Sequence, residues 1–216
     1  MKETDLALKF IDYFNDTYEV YKEVPTGYGT IDMVAVSGNI RIGVEVKLML
    51  NFKVIEQAYY NKLYFHYTYV AVPKGKQRHF VYMICRQLNI GVLEYNEKTG
   101  EIVEEVSPKL NRKAVKIEFK DYMKQSVAGS QNDRITAFRN TINCIVKSLH
   151  RHDGREMKEV LESVTYHWNK LSTAKASLHK WCTKGVIKEF TIKDGKLYLT
   201  DYGREYYKKI NNYDYF

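Results

Sequence analysis

Residues 31–48 read Ile-Asp-Met-Val-Ala-Val-Ser-Gly-Asn-Ile-Arg-Ile-Gly-Val-Glu-Val-Lys-Leu, the most informative stretch of the chain. Two short runs rich in β-branched residues flank the turn-forming Ser-Gly-Asn at 37–39, which predicts a β-hairpin. Side chains alternate across a strand, so Glu45 and Lys47 share the face opposite to their apolar neighbours. Asp32 can lie across from them on the adjacent strand.

Two carboxylates and a lysine that converge between apolar strands need compensation, because charges are rarely buried without partners. Hard oxygen ligands such as Asp32 and Glu45 hold Mg²⁺ or Mn²⁺, which usually keeps several waters. A lysine beside the metal, here Lys47, can orient or deprotonate an attacking water. The alternative interpretation is a surface hairpin with two exposed acids and a salt-bridged lysine.

The spacing D-x12-E-V-K resembles the active site of the PD-(D/E)XK nucleases, a superfamily that includes many restriction enzymes and Holliday-junction resolvases. The resemblance covers roughly residues 1–95. A helix-like segment precedes the hairpin, another runs from Asn51 to about His66, and an apolar strand follows over 67–73. The resemblance implies an α/β fold with a restriction-endonuclease-like αβββαβ core. Ile31 stands where the family name has Pro.

The resemblance also implies roles for the residues of the motif. Asp32 and Glu45 would bind one or two Mg²⁺ (or Mn²⁺), with the backbone carbonyl of Val46 as a further ligand. Lys47 would orient the attacking water and offset charge on the phosphate. Many members use an additional acid from the first helix, and Glu3 is the best match to it.

Other site residues are less sharply indicated. Glu19 and Glu23 are weaker candidates for the additional acid, since they flank a predicted edge strand and could simply be exposed. In RecB-like members a glutamine and a following tyrosine face the active site, so Gln57 is a candidate catalytic residue. Tyr60 and Asn61 follow it at i+3 and i+4, which makes the match partial. A half-buried helix face is the alternative.

Composition limits the class of protein. The chain has 216 residues, 44% of them hydrophobic, and no apolar run approaches the ~20 residues of a membrane span. The N-terminus lacks the apolar core of a signal peptide. Three widely spaced cysteines show no metal-binding pattern. We therefore expect a cytoplasmic, reduced setting and no membrane partner.

Charge is divided unevenly along the chain. Residues 1–106 carry 12 basic and 14 acidic side chains, a net of −2, whereas residues 107–216 carry 22 and 12, a net of +10. A basic half of this kind indicates a polyanionic partner. Residues 107–134 contain Pro108 and many lysines and arginines, and we interpret them as a basic connector in which residues 115–119 could still be a strand.

From Ile135 onward three helical segments, a hairpin with Asp194-Gly195 as its turn, and a final helix are predicted. This order resembles a winged-helix domain over about residues 135–210. We therefore predict a PD-(D/E)XK-like domain at 1–106, the connector at 107–134 and a winged-helix domain at 135–216. The basic residues expected to bind nucleic acid, on the third helix and the wing, are Lys175, Lys180, Lys184, Lys193 and Lys196.

These observations predict a hydrolase: a metal-dependent DNA endonuclease whose winged helix binds DNA. The alternative from a different class is a non-catalytic winged-helix DNA-binding regulator that uses the first domain as a scaffold or dimerisation unit. An RNase of the same fold is a third possibility. DNA is the expected partner, and a homodimer stays open.

Overall fold

The computed structural model describes residues 1–75, 79–126, 128–129 and 135–211. The chain is a mixed α/β protein, as predicted, and it divides into two compact units, residues 1–134 and 135–216. Within the described residues, no helix combines the length and the apolar character needed to cross a bilayer.

The first unit is built on a six-stranded mixed sheet. In chain order its elements are α1 (Glu3–Asn15), β1 (Glu19–Thr26), β2 (Gly29–Ser37), β3 (Ile40–Val46), α2 (Phe52–Asn61), β4 (Tyr67–Pro73), α3 (His79–Leu88), β5 (Gly91–Tyr95), β6 (Ile102–Val106) and a 3₁₀ helix (Asp121–Gln125). From α1 to β4 this is the predicted order α-β-β-β-α-β. The sequence also predicts a third helix from Gln77 to Leu88, and its start lies outside the described residues.

The sheet follows chain order from β1 to β6. Strands β1, β2 and β3 are antiparallel neighbours, β3, β4 and β5 are parallel, and β6 returns antiparallel to β5. Helices α2 and α3 make the two crossovers that parallel strands require. The predicted hairpin is therefore present as β2 and β3.

Helices cover both faces of this sheet. Helix α1 packs its apolar side on a cluster that includes Ala71 of β4. Helices α2 and α3 pack on a cluster that includes the two flanking residues, Val70 and Val72. Because side chains alternate along a strand, these two clusters lie on opposite faces. Asp32, near the start of β2, and Glu45, near the end of β3, therefore lie in a sheet that has helices on both faces.

The register of β2 and β3 places the two acids of the motif together. Met33 pairs with Val44, and Asp32 and Glu45 are the next residues along their strands. Gly43, one pair further in, has no room for a side chain, since an added Cβ would lie 2.3 Å from the Phe65 ring. Close packing of Phe65 against Gly43 thus holds the β2–β3 hairpin in this position.

Residues 107–126 belong to the first unit and pack against its other segments. Arg41 donates from Nη2 to the carbonyl oxygens of Ala114 (3.3 Å) and Val115 (3.2 Å), and Met123 is buried in a cluster with residues of β1 and β2. Residues 107–120, all of them described, form neither helix nor strand, so the strand considered for 115–119 is not formed. This part of the predicted connector is an irregular segment held by hydrogen bonds.

The second unit consists of helices and a small antiparallel sheet. Its elements are α4 (Ala137–Arg151), β7 (Arg155–Glu156), α5 (Met157–Ser163), α6 (Leu171–Thr183), β8 (Phe190–Lys193), β9 (Lys196–Leu199) and α7 (Asp201–Asn211). The strand order is β7-β9-β8. The predicted turn between β8 and β9 has positive φ at Asp194 (50°) and Gly195 (75°), as a two-residue hairpin turn requires.

One close backbone contact joins α7 to the segment before β8. An added Cβ at Gly203 would lie 1.8 Å from the carbonyl oxygen of Glu189. Glu189 is buried and forms an ion pair with Arg139 of α4. Glycine at this position is therefore required by packing between two segments of the second unit.

Candidate active site

A polar pocket of about 420 Å³ lies at the end of β2 and β3 in the first unit. Its walls come from α1, β1, β2, β3, the start of α2 and Gly129. The lining residues are Glu3, Glu23, Thr30, Asp32, Glu45, Lys47, Asn51, Lys53, Val54, Gln57 and Gly129. All five predicted catalytic residues, Asp32, Glu45, Lys47, Glu3 and Gln57, are among them.

Asp32 is held by the strand opposite. Its Oδ2 accepts a hydrogen bond from the backbone N–H of Val46 (2.8 Å) and another from the ammonium of Lys47 (3.1 Å). Asp32 is itself buried. The carboxylate is thus oriented by β3 before any ligand is considered.

Glu45 is the most deeply buried acid of the pocket, with 1% of its surface exposed. Burial raises the pKa of Glu45 to about 8, and the negative charge of Asp32 pushes in the same direction. Lys47 and a hydrogen bond from Asn61 oppose this shift. Two adjacent carboxylates with too little positive charge around them form a site that gains from a cation.

Lys47 lies between two acids. Its Nζ is 2.6 Å from Glu3 Oε1 and 3.1 Å from Asp32 Oδ2. Burial alone would lower the pKa of Lys47, but its contacts with Asp32 and Glu3 outweigh that effect and raise the pKa. Lys47 is therefore a cation at neutral pH. Its ion pair with Glu3 links α1 to the motif.

No protein-family model matches this chain, and no curated protein matches it. The chemistry of the pocket is therefore inferred from its own residues.

The donor set suits a hard divalent cation. Across the described residues, no three or more His, Cys, Asp or Glu side chains form a group that could hold a metal by themselves. Mg²⁺, however, is commonly held by one or two carboxylates together with waters. Asp32 and Glu45 supply two such carboxylates, and the N–H of Val46, whose carbonyl is the predicted third ligand, donates to Asp32. These residues fit the expected ion.

The charge balance points the same way. The lining residues include four acids and two lysines, a formal excess of two negative charges. Such a pocket repels a phosphate group unless a cation offsets the acids.

Glu23 has a larger part in the pocket than the sequence indicated. It is buried, it lines the pocket, and its Oε1 accepts a hydrogen bond from the backbone N–H of Gly129 (2.9 Å). Its φ of 52° is uncommon for a residue with a side chain. Glu19, the other weaker candidate, is exposed and interacts with Tyr21 and Lys124 outside the pocket. The sequence indicated Glu23 only as one of two acids that flank a predicted edge strand.

Helix α2 places two residues, Gln57 and Asn61, at the site. Gln57 lines the pocket and is half-buried. Asn61, one turn later, is 4% exposed and donates a 2.6 Å hydrogen bond to Glu45 Oε1. Tyr60 is exposed. The structure therefore joins Asn61 directly to the acid pair, a role that the sequence indicated only as a shared helix face with Gln57.

The basic residues predicted to bind nucleic acid all lie in the second unit. At about 100° per residue, Lys180 and Lys184 share one side of α6, whereas Lys175 lies about 140° from Lys180. Lys193 is exposed at the end of β8, and Lys196 of β9 lies 4.0 Å from Glu156. The helix thus presents Lys180 and Lys184 together and turns Lys175 to another side.

Proposed function

We propose that the chain is a Mg²⁺-dependent deoxyribonuclease of the PD-(D/E)XK type, with the restriction-endonuclease-like core in the first unit and a DNA-binding winged helix in the second. The observation that carries the proposal is the convergence of Asp32, Glu45, Lys47 and Glu3 in one pocket at the end of a β-hairpin. Paired carboxylates can hold a metal ion that polarises a phosphate and activates water, and a neighbouring lysine can offset developing negative charge.

Asp32 and Glu45, with the Val46 carbonyl, would hold the ion. When bound, a divalent cation supplies neutralisation of the phosphate charge and activation of the attacking water. The chain's own contribution is to orient both carboxylates. The N–H of Val46 does this for Asp32, and the amide of Asn61 does it for Glu45.

Lys47 acts in this proposal as a charged hydrogen-bond donor rather than as a base. Its raised pKa keeps the ammonium protonated. An ammonium next to the scissile phosphate orients the attacking water and offsets the negative charge that develops in the transition state. Glu3 holds the ammonium in place through the 2.6 Å ion pair.

The second unit would supply affinity for DNA. Residues 135–216 carry 15 basic and 9 acidic side chains, and this net charge of +6 favours the phosphate backbone. In a winged helix the third helix enters the major groove and the wing contacts phosphates. Here those elements are α6, with Lys180 and Lys184, and the β8–β9 hairpin.

The proposal is tested by incubating the purified full chain with supercoiled, linear, single-stranded and branched DNA and with RNA, in Mg²⁺, Mn²⁺ or EDTA. We expect DNA cleavage that EDTA stops and that Asp32→Asn and Glu45→Gln abolish. Asp12→Asn, a change at an exposed acid of α1, serves as the control and keeps full activity. Cleavage that survives both pocket variants overturns the assignment. DNA binding without cleavage supports the regulator, and cleavage of RNA alone supports the RNase.

A further inference from the structure

Two tyrosines expose their rings beside the pocket. Tyr28, in the connection between β1 and β2, is 61% exposed, and Tyr60 of α2 is 45% exposed. Their ring centroids are 5.1 Å apart with 25° between the ring planes, so they stack on each other. Tyr28 is two residues from Thr30, and Tyr60 is one helical turn from Gln57, and both of those residues line the pocket.

Hydrogen bonds connect this tyrosine pair to the acid pair. The N–H of Tyr28 donates to Oγ1 of Thr26 (3.3 Å), which donates to Oδ1 of Asn61 (2.8 Å). Asn61 in turn donates to Glu45. The backbone that carries Tyr28 is therefore three hydrogen bonds from a proposed metal ligand.

Gly27, the other residue of the connection between β1 and β2, is also held in place. Gly27 donates its N–H to the hydroxyl of Tyr64 (3.0 Å), and the ring of Tyr64 packs edge-on against Tyr28. Such ordering holds an aromatic face in one place at little further entropic cost on binding.

The chemistry of the patch favours a flat, uncharged ring attached to an anionic backbone. Aromatic side chains bind unpaired bases by stacking, worth about 1–3 kcal/mol per base. Positive charge for the attached phosphates is at hand, because Lys53 lines the pocket and its position is exposed. An aliphatic partner would need neither feature.

We propose that Tyr28 and Tyr60 form a stacking platform for unpaired nucleobases next to the phosphate that is cut. The substrate class is then DNA with single-stranded or frayed nucleotides at the cleavage site, in preference to fully paired duplex. This inference rests on the proposed nuclease function of the pocket, whose substrate it specifies.

Binding is measured with a single-stranded oligonucleotide that carries 2-aminopurine, using the full chain in EDTA so that no cleavage is expected. We expect the wild-type protein to quench the fluorescence. Tyr28→Ala and Tyr60→Ala should each weaken binding about 5- to 150-fold and reduce the quenching. Tyr28→Phe should retain both. Phe80→Ala, at an equally exposed aromatic of α3 (60%), serves as the control.

Cleavage in Mg²⁺ separates the two proposals. We expect Tyr28→Ala to lower the preference for single-stranded over blunt duplex DNA about tenfold, with the melting temperature unchanged.

If the wild-type protein cleaves DNA but neither its preference nor the quenching responds to the tyrosine changes, the platform is overturned and the nuclease stands. If it binds and quenches without cleaving, the nuclease fails while the stacking site stands. A change in self-association instead of oligonucleotide binding would assign the tyrosines to a protein interface and overturn the platform.

Discussion

Asn61 donates a hydrogen bond from its side-chain amide to Glu45 Oε1 across 2.6 Å, and both side chains are buried. The bond links the end of α2 to β3 and stabilises the ionised form of Glu45 against the effect of burial. A carboxylate at this position would add a third negative charge beside Asp32 and Glu45, whereas the amide adds none.

Asn61→Ala should therefore weaken metal binding by about 10- to 100-fold, as is usual when a group that orients a metal ligand is removed. The measurement is the rise in melting temperature with increasing Mn²⁺. Glu56→Ala, at an exposed position of the same helix, is the control. An Mn²⁺ midpoint that Asn61→Ala leaves unchanged would show that the amide serves packing alone.

Glu45 should make the metal-free protein less stable as the pH rises. Its pKa in the folded state, about 8, lies above the ordinary value of 4.5, so between these limits the folded state holds a proton that the unfolded state has lost. Stability due to this group is therefore full below about pH 4.5 and declines up to about pH 8. Glu45→Gln should raise the melting temperature at pH 8 by on the order of 5 °C and change it little at pH 5. Equal effects at both pH values would contradict the shift.

Lys47→Ala should reduce the cleavage rate about 100-fold or more while changing DNA affinity much less, because the ammonium acts on charge that develops in the transition state. Single-turnover cleavage and binding in EDTA measure the two quantities. Glu3→Gln weakens the contact that positions the Lys47 ammonium but leaves that ammonium charged. It should therefore give a smaller loss of rate. If affinity falls in step with rate in Lys47→Ala, the lysine is a phosphate clamp.

The two sides of α6 should differ in their contribution to DNA binding. Replacing Lys180 or Lys184 with Ala should weaken duplex binding and reduce the slope of log K against log salt by about 0.9 for each phosphate that the variant no longer neutralises. Lys193→Ala should act similarly on all sequences. Lys175→Ala is the matched comparison and should have a smaller effect. Fluorescence anisotropy over a salt series measures these slopes, and equal effects from Lys175 and Lys180 would argue against α6 as the DNA-binding element.

Gly203→Ala should destabilise the second unit by about 1–3 kcal/mol, the usual cost of overpacking, since its Cβ would collide with the Glu189 carbonyl. Both tryptophans of the chain, Trp168 and Trp181, lie in this unit. Tryptophan fluorescence during urea unfolding therefore reports its stability directly. Glu205→Ala, at an exposed position of α7, is the control. A midpoint that does not move would mean that the helix shifts freely.

Short-range sequence patterns were enough to predict the hairpin and the helix after it. Alternating apolar residues around 37–39 indicated β2 and β3, and their pairing accounts for the meeting of Asp32 and Glu45. The helix was predicted to run from Asn51 to about His66; Asn51 caps α2 by accepting from the Val54 N–H, and the helix ends earlier, at Asn61. The assignment of this core to a nuclease fold stays a prediction.

Contacts between distant segments could not be predicted in the same way. Glu23 reaches the pocket because its backbone adopts a positive φ and because Gly129, 106 residues later, meets its carboxylate. The apolar alternation in residues 107–126 is limited to 115–119, and it did not indicate the attachment through Arg41 and Met123. Lys175 and Lys180 share a charge but not a side of α6, which composition alone does not distinguish.

The return of the chain to the first unit after β6 has a practical consequence for dissecting the protein. Met123 is buried against Tyr21 and Val24, Ala128 belongs to the core beneath α1, and Gly129 lines the pocket. A fragment cut at residue 106 would keep the whole sheet and the acid pair, yet it would be without part of two apolar clusters and one wall of the pocket. The smallest autonomous piece that retains the complete pocket therefore extends at least to residue 129.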